Sequence, residues 1–148
     1  MTRYVMGVNA EGRSYLVSQD EISVDGSTEV WNYKPEDITE VISGVGKGVA
    51  AAWLESPPGG AKWIYARMLP IAEQPSHSKM QGIDEDGFHT TRTIDFDFII
   101  DGEVNLILDE DTVRLKAGDF IVIQAARHAW RNVSDQPASW IALLHTPA

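Results

Sequence analysis

Between Phe88 and Glu103 the sequence F-H-T-T-R-T-I-D-F-D-F-I-I-D-G-E places its chemistry-bearing residues two apart: His89, Thr91, Thr93, Asp95 and Asp97. Side chains on a β-strand alternate between faces, so these five share one face. Thr90, Arg92, Ile94, Phe96, Phe98 and Ile100 share the other. The polar row has the types needed for ligation or proton transfer: an imidazole that titrates near neutrality, carboxylates beside it and hydroxyls between them. It carries neither Lys nor Glu, the usual solvent-facing residues. One reading puts the row on the inner wall of a small barrel, with the aromatic row packed on a second sheet. The other is a half-buried strand whose polar face meets water. Asp95 and Asp97 on one face repel each other, which raises one pKa and leaves a proton donor. In the plainer alternative, Asp97 and Thr93 bond each other or buried water.

The surrounding elements must hold that row in place. Asp101-Gly102 is a strong hairpin signal. Short strands are expected at 3–8, 14–17, 28–33, 51–55, 62–69, 104–108, 112–115, 120–124, 128–133 and 140–144, separated by Gly, Pro and Asp turns. Such spacing means an all-β sandwich or barrel. One short helix is expected over Glu36 to Ser43, with Pro35 at its start and Gly44 after it. Gly44 to Gly48 is rich in glycine but lacks the spacing of a phosphate-binding loop, so it reads as a connection. Pro70 to Gly87 is long for a structureless loop and reads as a lid over the barrel, with His77 as a solvent-exposed residue inside it.

At 148 residues and 43% hydrophobic content the chain fits one domain, 1–148. Residues 1–50 form the N-terminal strands and helix, and 51–148 the barrel. The net charge of −10 opposes binding to nucleic acid or to an anionic membrane. No apolar run reaches the roughly 20 residues of a membrane span. The absence of Cys and of a signal-like N-terminus gives a cytoplasmic expectation.

The residues from 61 to 144 resemble the cupin superfamily of jelly-roll β-barrels. Its first motif corresponds to His89-x-Thr91-x3-Asp95-x6-Gly102, and its second to Gly118 through His128 to Asn132. The departures are specific. Thr91 stands where a second His belongs, Asp95 replaces Glu, and the second motif is one residue short, with Gln124 and Ala126 near its usual Pro and Gly. The resemblance implies a divalent ion (Fe, Mn, Zn or Ni) held by His89, Asp95 and His128, with Asp97 relaying protons. It equally accommodates a metal-free His–Asp pair acting as general base, as in some sugar epimerases of this superfamily.

The expected substrate is a small carbonyl or carboxylate compound bound inside the barrel, with Thr91, Thr93, Trp130, Asn132, Trp63, Tyr65 and Arg67 lining the pocket. Arg92 is expected to face away from the cavity. Arg127 near the mouth is a candidate clamp for a carboxylate. The implied activity is non-oxidative: lyase, decarboxylase, dehydratase or isomerase. An iron(II) dioxygenase and a non-catalytic binding or sensor barrel are the alternatives. A homodimer through the outer sheet, where Phe96 and Phe98 lie, follows from the same resemblance.

Overall fold

The computed structural model describes residues 2–8, 13–21, 26–33, 54–74 and 82–148. Its strands are β1 (Thr2–Val8), β2 (Ser14–Glu21), β3 (Ser27–Tyr33), β4 (Ala61–Met68), β5 (Ile94–Asp101), β6 (Glu103–Ile107), β7 (Thr112–Lys116), β8 (Phe120–Gln124), β9 (Ala129–Arg131) and β10 (Ala138–His145). The one helical element among the described residues is a 3-10 turn at Ile71–Glu73. The helix expected over Glu36 to Ser43, the glycine-rich run at 44–48 and His77 lie outside the described residues, as do residues 51–53 of one expected strand. Residues 54 and 55 of that strand form a bend.

All pairings are antiparallel. A five-stranded sheet runs β3-β4-β10-β5-β8 and a three-stranded sheet runs β7-β6-β9, while β1 and β2 pair with each other. Apolar side chains from the two larger sheets meet between them: Ile99, Val104, Leu106, Leu115, Ile123, Trp140 and Leu144 are all buried. The arrangement is the all-β jelly roll expected from the motif spacing.

The strand thought to begin at Phe88 begins at Ile94. His89 instead forms an isolated antiparallel bridge with His128, its N–H donating to the His128 carbonyl at 3.0 Å and its carbonyl accepting from the His128 N–H at 3.0 Å. Gly102 closes the β5–β6 hairpin at φ +72. A β-carbon there would fall 2.3 Å from the Pro137 carbonyl oxygen, so both the left-handed backbone and the close approach of the 137–138 segment require glycine.

The faces of β5 resolve the two readings of its polar row. Asp95 and Asp97 are buried, whereas Phe96 and Ile100 are 48% and 45% exposed. The polar row lines the interior. The aromatic row, expected to pack on a second sheet, forms the outer surface instead.

Candidate active site

Three segments bring the central residues together. β5 supplies Asp95 and Asp97, and the segment before it supplies Thr91 and Thr93, which are buried at 4% and 1% exposure. The Thr91 and Thr93 hydroxyls are 2.6 Å apart, and Thr93 hydrogen bonds onward to the Asp95 carboxyl. The His89–His128 bridge sets the two imidazoles edge to face with centroids 4.3 Å apart. His128 is fully buried, and its Nδ1 lies 2.9 Å from the Ala126 carbonyl oxygen. That carbonyl only accepts, so Nδ1 carries the hydrogen of this bond.

Burial and like charge shape the electrostatics. Burial, aided by the proximity of His128, pushes His89 down to about 4, so its ring is neutral at pH 7. Burial raises Asp95, opposed by the Thr93 hydrogen bond and by attraction to His128. Burial together with repulsion from Asp95 pushes Asp97 up to about 7. Asp95 Oδ1 and Asp97 Oδ1 are buried and receive no hydrogen bond from the protein. Such atoms are costly unless a bound molecule satisfies them.

An aromatic wall completes this region. Trp130 lies opposite Leu106 on the β6–β9 ladder, stacks on Trp140 at 4.7 Å and stands perpendicular to His128 at 6.1 Å. Trp140 has no place in the sequence motifs. Its signal was only the apolar run of β10.

Three expected pocket residues lie elsewhere. On β4 the buried inward residues are Lys62 and Ala66, with Ile64 packed against the core, so Trp63, Tyr65 and Arg67 take the outer face. Period-two alternation assigns residues to a common face but does not say which face is inside. The large aromatic was the wrong guide, because Lys62 is accommodated inside by Glu29 at 3.2 Å.

Asn132 is fully buried but serves the scaffold. Its Nδ2 donates to the carbonyls of Met68 (3.1 Å) and Gln136 (2.7 Å), and its Oδ1 accepts from the Ser134 N–H and hydroxyl.

Arg92 is exposed, as expected, with its backbone N–H on Glu55 Oε1 at 2.8 Å. Arg127 is engaged by Asp109 at 2.7 Å and Asp84 at 2.9 Å, and its guanidinium sits 4.0 Å from the Phe88 ring centroid. It therefore anchors the 84–88 turn, leading into His89, to the turn after β6. The proposed lid is described only at residues 70–74 and 82–87.

The three expected metal donors do not form a centre. Among the described residues no three His, Cys, Asp or Glu side chains are placed to hold one ion. Thr91 removes one imidazole, and Asp95 is a methylene shorter than the Glu it replaces. These residues do not fit a three-donor ion site.

Residues 77–144 match the sequence profile of the Cupin domain family. A 47-residue stretch is 45% identical to Phomopsin biosynthesis cluster proteins C' and D of Diaporthe leptostromiformis; it covers 31% of this chain and 25% of each relative. The match thus spans about a quarter of the length of those curated relatives. Among solved structures, a Cupin 2 conserved barrel domain protein from Salinispora arenicola aligns over 84% of this chain and 81% of its own, at 13% identity and a TM-score of 0.47. The salicylate 1,2-dioxygenase of Pseudoaminobacter salicylatoxidans aligns over 57% of this chain and 22% of its own, at 23% identity and a TM-score of 0.45.

Proposed function

Because residues 77–144 match the Cupin domain family, we propose that the chain binds a small carbonyl-containing organic molecule against the Trp130–Trp140 wall and moves a proton on it, as an isomerase or lyase. The observation that carries this reading is a pair of buried carboxyls with unsatisfied oxygens, one of them near the fully buried His128, whose ring packs on the half-buried His89. His89, neutral at pH 7, abstracts the proton next to the substrate carbonyl. Asp97, about half protonated at that pH, hydrogen bonds the carbonyl oxygen and donates as negative charge develops there. Thr91 and Thr93 orient the Asp95 carboxyl.

The test is deuterium wash-in from D2O, followed by proton NMR, at the carbon next to the carbonyl of small 2-oxo and 3-oxo carboxylates. Wild-type protein is expected to catalyse exchange, and His89→Gln to lose about 10²–10⁴-fold of it. Binding of these compounds, seen as tryptophan quenching, without exchange above buffer would overturn the catalytic reading in favour of a binding barrel.

The outer face of the same sheet supports a homodimer. Trp63, Leu143, Phe96 and Val122 are direct lateral neighbours across β4, β10, β5 and β8, each between 42% and 56% exposed. Beside them Phe120, 82% exposed, packs on Phe98 with centroids 4.6 Å apart. Four strands of up to eight residues make a face of roughly 19 by 26 Å, about 500 Å² in plan, toward the low end of the areas that specific interfaces bury per partner. A second copy presenting the same apolar row is the occupant proposed. Analytical ultracentrifugation at about 20 μM is expected to give a dimer that Phe96→Lys with Phe120→Asp converts to monomer. A monomeric wild type at ten times that concentration would refute it.

A further inference from the structure

Lys62 is the one Lys or Arg that is buried among the residues whose exposure is described, at 4%. It points into the barrel from β4, with its ammonium 3.2 Å from Glu29 Oε2. Asn32, 2% exposed and directly across the β3–β4 ladder, donates its Nδ2 to the other oxygen of the same carboxylate. The sheet registers put this cluster in line with the acids. Asn32 pairs with Lys62, Lys62 with Leu144, Leu144 with Asp95, and Asp95 with Ile123. With strands about 4.8 Å apart, Lys62 and Asp95 stand about 10 Å apart on the same inner row. Next to them run Ile64, Ala142, Asp97 and Ile121.

A buried ion pair contributes little to stability compared with apolar residues of similar volume, because desolvation offsets the attraction. The rest of this row would accept apolar residues, as Leu144 and Ile123 do. A charge kept here is accounted for by what it faces. Lysine has three N–H donors and a compact positive charge. Asp95 and Asp97, both biased toward their protonated forms by burial, tolerate an anion nearby better than ionised acids would.

Building on the proton-transfer reading, we infer that Lys62, held in place by Glu29 and Asn32, anchors the carboxylate of a small monocarboxylate substrate whose reactive carbon then lies toward Asp95 and His89. Lys62 is thus a specificity-determining residue. The span of about 10 Å along the row suits a compact acid rather than a long chain, and one cation suits one carboxylate better than a phosphate dianion.

The probes are benzoate and phenylacetate, each with its uncharged amide, followed by tryptophan quenching and by the 13Cε resonance of Lys62. Wild-type protein is expected to bind each acid about ten- to a hundred-fold more tightly than its amide, and the acids alone to shift the Lys62 resonance. Lys62→Met leaves the half-buried Glu29 without this cation and is expected to unfold at lower temperature. Lys62→Met with Glu29→Gln removes both charges and keeps the volume, so it is the variant on which binding is measured. Loss of the acid-over-amide preference in this folded double variant supports the inference. A preference that survives the change, equal binding of acid and amide, or failure of either acid to bind the wild type overturns it. The two readings separate cleanly. Deuterium wash-in dependent on His89 with no Lys62 effect removes only the anchor, while acid binding lost with Lys62 but no wash-in removes only the catalysis.

Discussion

Asp97→Asn is expected to reverse the pH dependence of stability between pH 4 and 6.5 and to lower turnover about 10²–10⁴-fold. Two groups, the buried Asp97 and the half-buried His89, act in opposite directions in that window. A carboxyl raised from 3.8 to about 7 binds its proton more tightly in the folded protein than in the unfolded chain. Its contribution is therefore fully present below pH 3.8 and lost as pH rises through 7. An imidazole lowered from 6.5 to about 4 does the reverse. Its contribution is present above pH 6.5 and lost as pH falls through 4. For Asp97 the effect is on the order of 4 kcal/mol at most. For His89 it is smaller, since that ring is partly exposed.

Asp95, raised in the same direction as Asp97, adds to the falling limb. The lateral neighbours of Asp97, Ala142 on β10 and Ile121 on β8, do not titrate. Of the Glu29–Lys62 pair, Lys62 on β4 lies one row away, while Glu29 on β3 is level with Asp97 across β4 and β10. The wild type should thus show a shallow profile in which the opposing slopes partly cancel. Urea midpoints taken from pH 4 to 8 should rise with pH in Asp97→Asn and fall more steeply in His89→Gln. Asp97→Asn should also be the more stable protein above pH 7, because a buried charge is gone. Parallel profiles for the two variants and wild type would mean that neither group titrates as its surroundings dictate.

The second large effect concerns Asn132, which the family motif places beside His128 but which the fold uses as a fastener. Asn132→Asp is expected to destabilise the protein by about 2–4 kcal/mol, at least as much as Asn132→Ala. The substitution keeps the shape but replaces an amide that donates to two carbonyls, Met68 and Gln136, with an oxygen that repels both. It retains the Oδ1 acceptor for Ser134, so that contact does not compensate. Catalysis by the fraction still folded should be unchanged. Thermal unfolding of the two variants measures the cost. An Asp variant as stable as the wild type, with altered ligand affinity, would return Asn132 to the pocket.

The sequence on its own determined the order of short strands, the Asp101-Gly102 hairpin and the grouping of His89, Thr91, Thr93, Asp95 and Asp97. These depend on local rules, namely turn chemistry and period-two alternation, which act within a few residues. It also carried the family, through the spacing of His89, Gly102, Gly118 and His128. Tertiary structure alone decided which face of each strand is inside. On β5 the polar face turned inward, because the barrel surrounds Asp95 and Asp97 with hydroxyls, imidazoles and apolar walls. The aromatic face was left outside, where a second chain can cover it.

On β4 the same freedom reversed the expectation for Trp63, Tyr65 and Arg67. Burying Lys62 depends on Glu29 and Asn32, some thirty residues earlier in sequence and adjacent only through the β3–β4 register. Whether His89, Asp95 and His128 gather round an ion was likewise beyond any spacing rule. Their motif is present in sequence, yet the positions of these side chains depend on how the His89–His128 bridge packs. Local pattern sets which residues travel together, and long-range packing sets what they face.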